Sequence, residues 1–124
     1  MFWGFQLNFL NSQIKNLVMK LEDKYFDILF YVVRAIDYHI SSNMRAIYYF
    51  IDEDDLIIRV LLCESPSQKD DFLISDICGL LFGDNLFQNV KSEVIIDSVT
   101  PLYKLTIDGF RVFSRNEDEE YGFY

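Results

Sequence analysis

Met44–Cys63 reads MRAIYYFIDEDDLIIRVLLC, two runs of aliphatic, β-branched and aromatic residues around the four acids Asp52, Glu53, Asp54 and Asp55. Met44–Ile51 and Leu56–Cys63 each suit a strand, and the acids suit the connection between them better than either strand. Only Arg45 and Arg59 interrupt the apolar character. This stretch therefore predicts a hairpin at the centre of a sheet whose two faces are both covered.

Upstream of the hairpin the apolar period is helical. Leu10, Ile14, Leu17, Val18 and Leu21 predict a helix over about residues 8–22. Tyr25, Leu29, Val33, Ile36 and Ile40 predict a second, with Asp27, Arg34, Asp37 and Ser41 on its polar side and Ser41-Ser42-Asn43 ending it. The aromatic cluster Phe2, Trp3 and Phe5 reads as packing over the sheet.

Downstream, Ser67 followed by Asp70 has the spacing of a capping box and opens a third helix. Leu73, Ile77, Leu80 and Leu81 would form its buried stripe, and Gly83 its left-handed C-terminal stop. Alternation over Val90–Asp97 and again over Tyr103–Ile107 predicts two more strands. Asp108-Gly109 then has the composition of a tight hairpin turn into Phe110, Val112 and Ser114. The predicted order is ααββαβββ: an α+β fold with three helices and a mainly antiparallel sheet of about five strands. Residues 1–124 read as one domain, with 116–124 as a flexible acidic tail.

The 124 residues carry 11 Lys and Arg against 20 Asp and Glu, a formal charge of −9, with 51% hydrophobic residues. That apolar content suffices for a core. The charge repels phosphate backbones and anionic lipid, so neither nucleic acid nor membrane is an expected partner. The acidity is one-sided. Residues 1–51 hold five basic and four acidic residues, a net +1, whereas 52–124 hold six and sixteen, a net −10. With the first lysine at Lys15 and charges breaking every apolar run, no targeting or membrane-spanning segment is expected, and the location is expected to be cytoplasmic. Cys63 and Cys78 each lie in an apolar run and read as buried free thiols.

Chemistry finds little footing. An EF-hand loop starting at Asp52 would need glycine and glutamate where Ile57 and Cys63 stand. His39 is the single histidine, and its position late in the second helix is explained by the helix dipole. The glycines are scattered, so no phosphate loop exists. No catalytic residue, metal ligand or cofactor is expected, and the chain reads as no enzyme. What remains is an acidic surface facing a basic partner, the arrangement of a small inhibitor directed at a nuclease. Its candidate contacts are Asp52, Glu53, Asp54, Asp55, Glu64, Asp70 and Asp71, together with the run Glu117, Asp118, Glu119 and Glu120.

Three segments carry a likeness to known proteins: Arg45–Asp52, then Cys63-Glu64-Ser65-Pro66-Ser67 leading into an acidic helix, then Pro101-Leu102 with the closing Gly109–Glu117. Over about residues 25–117 the sequence resembles immunity proteins of bacterial contact-dependent growth inhibition, the CdiI type, of polymorphic toxin systems. The resemblance implies a cytoplasmic protein that forms a 1:1 complex with the C-terminal toxin domain of a cognate CdiA effector, often a tRNase or other nuclease, and neutralises it. In that reading the strand and closing-segment residues are scaffold and the acids make contact. The rival reading is a non-enzymatic acidic adaptor or oligomerising module whose charge keeps it soluble.

Overall fold

The hairpin forms where its sequence places it. In the computed structural model, which describes residues 24–117, β1 (Met44–Asp52) and β2 (Asp55–Leu62) pair antiparallel with Asp52 opposite Asp55. Glu53 turns the chain at φ 55°. Both strands are the centre of a four-stranded sheet in the order β3-β2-β1-β4, with β3 at Asn89–Ile96 and β4 at Phe110–Ser114.

Residues 24–36 are helical (α1), and α2 spans Gln68–Gly83. The chain divides into two compact units, 1–30 and 31–124, and the sheet and α2 belong to the second. The helix expected over 8–22, the aromatic cluster Phe2, Trp3 and Phe5, and the acids Asp118, Glu119 and Glu120 lie outside the described residues. Among the described residues no helix is long and apolar enough to cross a membrane.

The expected sheet of about five mainly antiparallel strands is corrected: the described fold is α+β with two helices and a mixed sheet of four strands. Two physical causes account for it. First, β3 runs parallel to β2, Asp55 to Leu62 matching Asn89 to Ile96 without a slip. The connection between them contains α2, and a helix-bearing crossover is what returns a strand parallel. Second, Leu102–Lys104 is a 3-10 turn, and Leu105 and Ile107 do not join the sheet. They pack with Leu102 over Ala46, Tyr48 and Leu61. The alternation that suggests a strand there comes from apolar side chains laid across a sheet face.

Cross-strand partners share a face. Ala46, Leu61 and Ile95 form one row, with Tyr48, Arg59 and Glu93 beside it, under the segment 97–109. Ile47, Val60 and Val94 form the opposite row with Tyr49, Ile58 and Ser92, and α2 packs against β3 with Cys78 near Ser92. One crossover therefore travels outward over one face and the other returns over the opposite face. Both have the same hand, as the twist of the strands requires. Ile47, Tyr49, Leu56, Ile58, Val60, Leu61 and Leu62 are fully buried, each contributing about 1.5–3 kcal/mol of burial for the aliphatic members.

Helix ends differ from expectation in detail. The Ser67 capping box is present: Asp70 N–H donates to Ser67 Oγ at 3.1 Å and Ser67 N–H donates to Asp70 Oδ2 at 2.9 Å. The buried stripe is Ile74, Ile77 and Leu81, while Leu80 is exposed. Asn85, at φ 63°, takes the left-handed role expected of Gly83. α1 ends at residue 36, so Ile40 lies beyond it; Ile36 is buried as expected, joined by Val32 and Ala35, while Val33 is exposed. Gly109 makes no hairpin turn: it has φ 126° and passes so close to β1 that a Cβ would sit 2.8 Å from Tyr49 O.

Candidate functional site

The start of β1 is built from charged and polar groups that the apolar run conceals. The register slips between Met44 and Ala46, so Arg45 has no ladder partner opposite it. A bulge of this kind re-aims a side chain, and Arg45 is only 4% exposed. Its guanidinium forks onto Glu117, with Nε to Oε2 at 2.7 Å and Nη2 to Oε1 at 2.6 Å. It also donates to Asp97 O at 2.6 Å and Thr100 O at 2.8 Å. The Glu117 carboxylate, outweighing the cost of burial, raises the Arg45 pKa above the ordinary arginine value.

Asp97 closes the adjoining turn. Its Oδ1 accepts the N–H groups of Val99 and Thr100, both at 2.9 Å. Those hydrogen bonds, from Thr100 first, lower the Asp97 pKa. Arg115 holds the other side of the strand end, donating to the carbonyls of Met44 and Ser41. At this strand end lies a pocket of about 270 Å³ lined by Arg45, Cys63, Ser98, Val99, Pro101, Leu102 and Glu117. Sequence reasoning placed Arg45 and Glu117 in separate roles, scaffold and contact. Their pairing spans 72 positions, and its one local signal is a lone arginine inside an apolar run.

The predicted acids do not form one cluster. Asp52, Glu53, Asp54 and Asp55 stand at the hairpin end, whereas Glu64, Asp70 and Asp71 follow β2 at its far end, about eight residues and ~26 Å of strand away. Asp55 is bonded to Lys91 and Asn89, which lower its pKa, the Asn89 amide first. Asp70 is 2% exposed and turned inward. Burial by itself would raise its carboxyl. The Ser67 N–H and the Asn43 amide, with the Ser41 hydroxyl acting on it outside good hydrogen-bond geometry, instead hold it down at about 2. Asn43 also exchanges hydrogen bonds with the Glu64 backbone, tying the end of β2 to the start of β1.

His39 lies past the end of α1. Its Nδ1 meets Asp37 O at 2.7 Å and its Nε2 meets the Asp76 carboxylate of α2. Burial opposes the charged ring, but the Asp76 hydrogen bond and the Asp37 carbonyl prevail and raise its pKa. Cys63 and Cys78 are free and half-buried, and burial pushes the Cys78 thiol up. Among the described residues no group of three His, Cys, Asp or Glu side chains could hold a metal ion.

Compared with known sequences, residues 25–117 match the family model of the MafI2 immunity protein. No curated protein matches the chain.

Proposed function

The chain belongs to the MafI2 immunity protein family, and on that premise we propose that it forms a 1:1 complex with the C-terminal toxin domain of a cognate secreted effector and neutralises it without catalysis. The family match supports an immunity protein of a polymorphic toxin system, and it does not select the CdiI type. In this proposal the effector has the CdiA arrangement, with its toxin at the C-terminus. The toxin domain is a basic nuclease, tRNase-like, and the complex forms in the cytoplasm of the producing cell.

One observation carries the basic partner. Three of the four cations of the sheet strands are committed, Arg45 to Glu117, Arg59 to Glu93 and Lys91 to Asp55, and Arg111 of β4 makes no ion pair among the described residues, while Arg34 pairs with Asp84. Asp52, Asp54, Glu64 and Asp71 are exposed and make no ion pair among the described residues. Among the acids expected at the contact, they are the ones left to meet a basic surface, where such charges govern encounter and exclude acidic competitors.

The test reverses the two ends separately. Asp52→Lys with Asp54→Lys, and Glu64→Lys with Asp71→Lys, are measured by calorimetry and by survival of cells expressing the toxin domain encoded alongside the chain. At low salt, at least one pair should weaken binding tenfold or more. If both pairs bind and protect like the parent, the acidic contact is wrong. Failure of the parent itself to bind or protect would remove the immunity reading for that toxin.

A further inference from the structure

From the geometry at the start of β1, and resting on the immunity reading, we infer that the pocket beside Arg45 is the anchor point of the complex. It takes one arginine or lysine side chain of the toxin domain. The head of that side chain meets the Glu117 carboxylate, and its methylene stem lies against Val99, Pro101 and Leu102.

Three observations converge on this occupant. The first is electrostatic. Arg45 is spent, because its guanidinium is already bonded to Glu117, Asp97 O and Thr100 O and only 5% of its side chain is exposed. Glu117 is 21% exposed at the same pocket, and each carboxylate oxygen keeps acceptor capacity beyond the single hydrogen bond Arg45 gives it. The Asp97 carboxylate belongs to the adjoining turn, where it accepts from Val99 and Thr100, so the lining itself holds one arginine and one acid. Arg45 has given most of its donors to the protein, so the capacity left at the pocket is the carboxylate's, which a cation fits and an anion does not.

The second is the lining. Val99, Pro101 and Leu102 give an apolar wall beside a polar end, the match for a side chain whose charged head sits on a long hydrocarbon stem. A volume of about 270 Å³ admits one such side chain and excludes a helix or strand.

The third is that the mouth is fixed before anything binds. Val99 is 85% exposed, an unusual position for valine, and it is held there by the two hydrogen bonds of Asp97. Tyr103, 61% exposed, stands on the 3-10 turn that follows. A preformed mouth loses little entropy on binding, and anchors of interfaces sit in such places.

The experiment uses the full chain with two probes. In the first, n-butylguanidinium chloride is titrated into methyl-labelled protein with n-butanol as the uncharged control. Saturable shifts confined to the Val99 and Leu102 methyls, given by the guanidinium and not by the alcohol, are expected. Absence of such shifts, or equal shifts from both, overturns the cation site. In the second, Val99→Lys places a tethered competing cation at the exposed mouth, and its thermal unfolding midpoint is measured as the control for folding. Val99→Lys should weaken binding of the toxin domain at least tenfold while its unfolding midpoint stays with the parent's. If the parent binds and protects and Val99→Lys does so equally, the pocket proposal falls and the immunity reading stands. If the parent neither binds nor protects, the immunity reading falls, whatever the small cation does. A dimer seen by sedimentation and lost in Val99→Lys would assign the pocket to a second copy of the chain, which also overturns the proposal.

Discussion

At the scale of single residues, Asp70 shows how a predicted contact becomes an internal part. It closes the first turn of α2 and accepts from Asn43, so one carboxylate ties the helix to the start of the sheet. Its folded pKa of about 2 lies below the ordinary value of 3.8. A depressed carboxylate stabilises the fold above its unfolded pKa, and that stability is lost as pH falls from about 4 toward 2. Asp70→Asn should therefore cost about 2 kcal/mol at pH 7 in urea unfolding, and the gap to the parent should close near pH 2. His39 has the opposite sign. Its raised pKa gives stability that is complete below pH 6.5 and declines as pH rises through the folded value.

At the scale of elements, Gly109 is where the chain has least freedom. Its positive φ and the nearby Tyr49 carbonyl leave no room for a methyl group. Gly109→Ala should cost about 2 kcal/mol, and hydrogen exchange should show the loss first in the β1–β4 amides, with the β1–β2 hairpin retaining its protection. The hairpin, α2 and its cap were legible because their signals are local: a strand pair with a short acidic turn, and Ser67 three residues before Asp70. The direction of β3 was less so. Val90–Asp97 alternates in the same way whichever direction the strand runs, and the deciding fact is the length of the connection after Leu62. Leu105 and Ile107 misled for a related reason, since period-two spacing suits an irregular segment lying on a sheet as well as a strand in it. The offset in the α2 stripe, Ile74 for Leu73, follows from a helix with apolar residues on more than one side. Arg45 and Glu117 were the least legible of all, because neither residue carries any sign of the other.

At the scale of the whole molecule, the charge asymmetry between the two halves of the sequence becomes two acidic ends of one sheet. The predicted consequence is kinetic. Association with a basic toxin domain should slow by at least tenfold between about 20 and 300 mM salt, whereas dissociation should change little, as stopped-flow measurements would show. A rate indifferent to salt would mean that the net charge serves solubility alone. The clasp between Arg45 and Glu117 adds a constraint of timing. During synthesis the hairpin leaves the ribosome early with its arginine already committed to an apolar strand, and the counter-charge arrives 72 residues later. A nascent chain stopped short of residue 117 thus carries an arginine with no carboxylate to meet it and lacks one wall of the pocket. Under the pocket proposal, binding competence is complete only when the chain has passed β4 and reached Glu117.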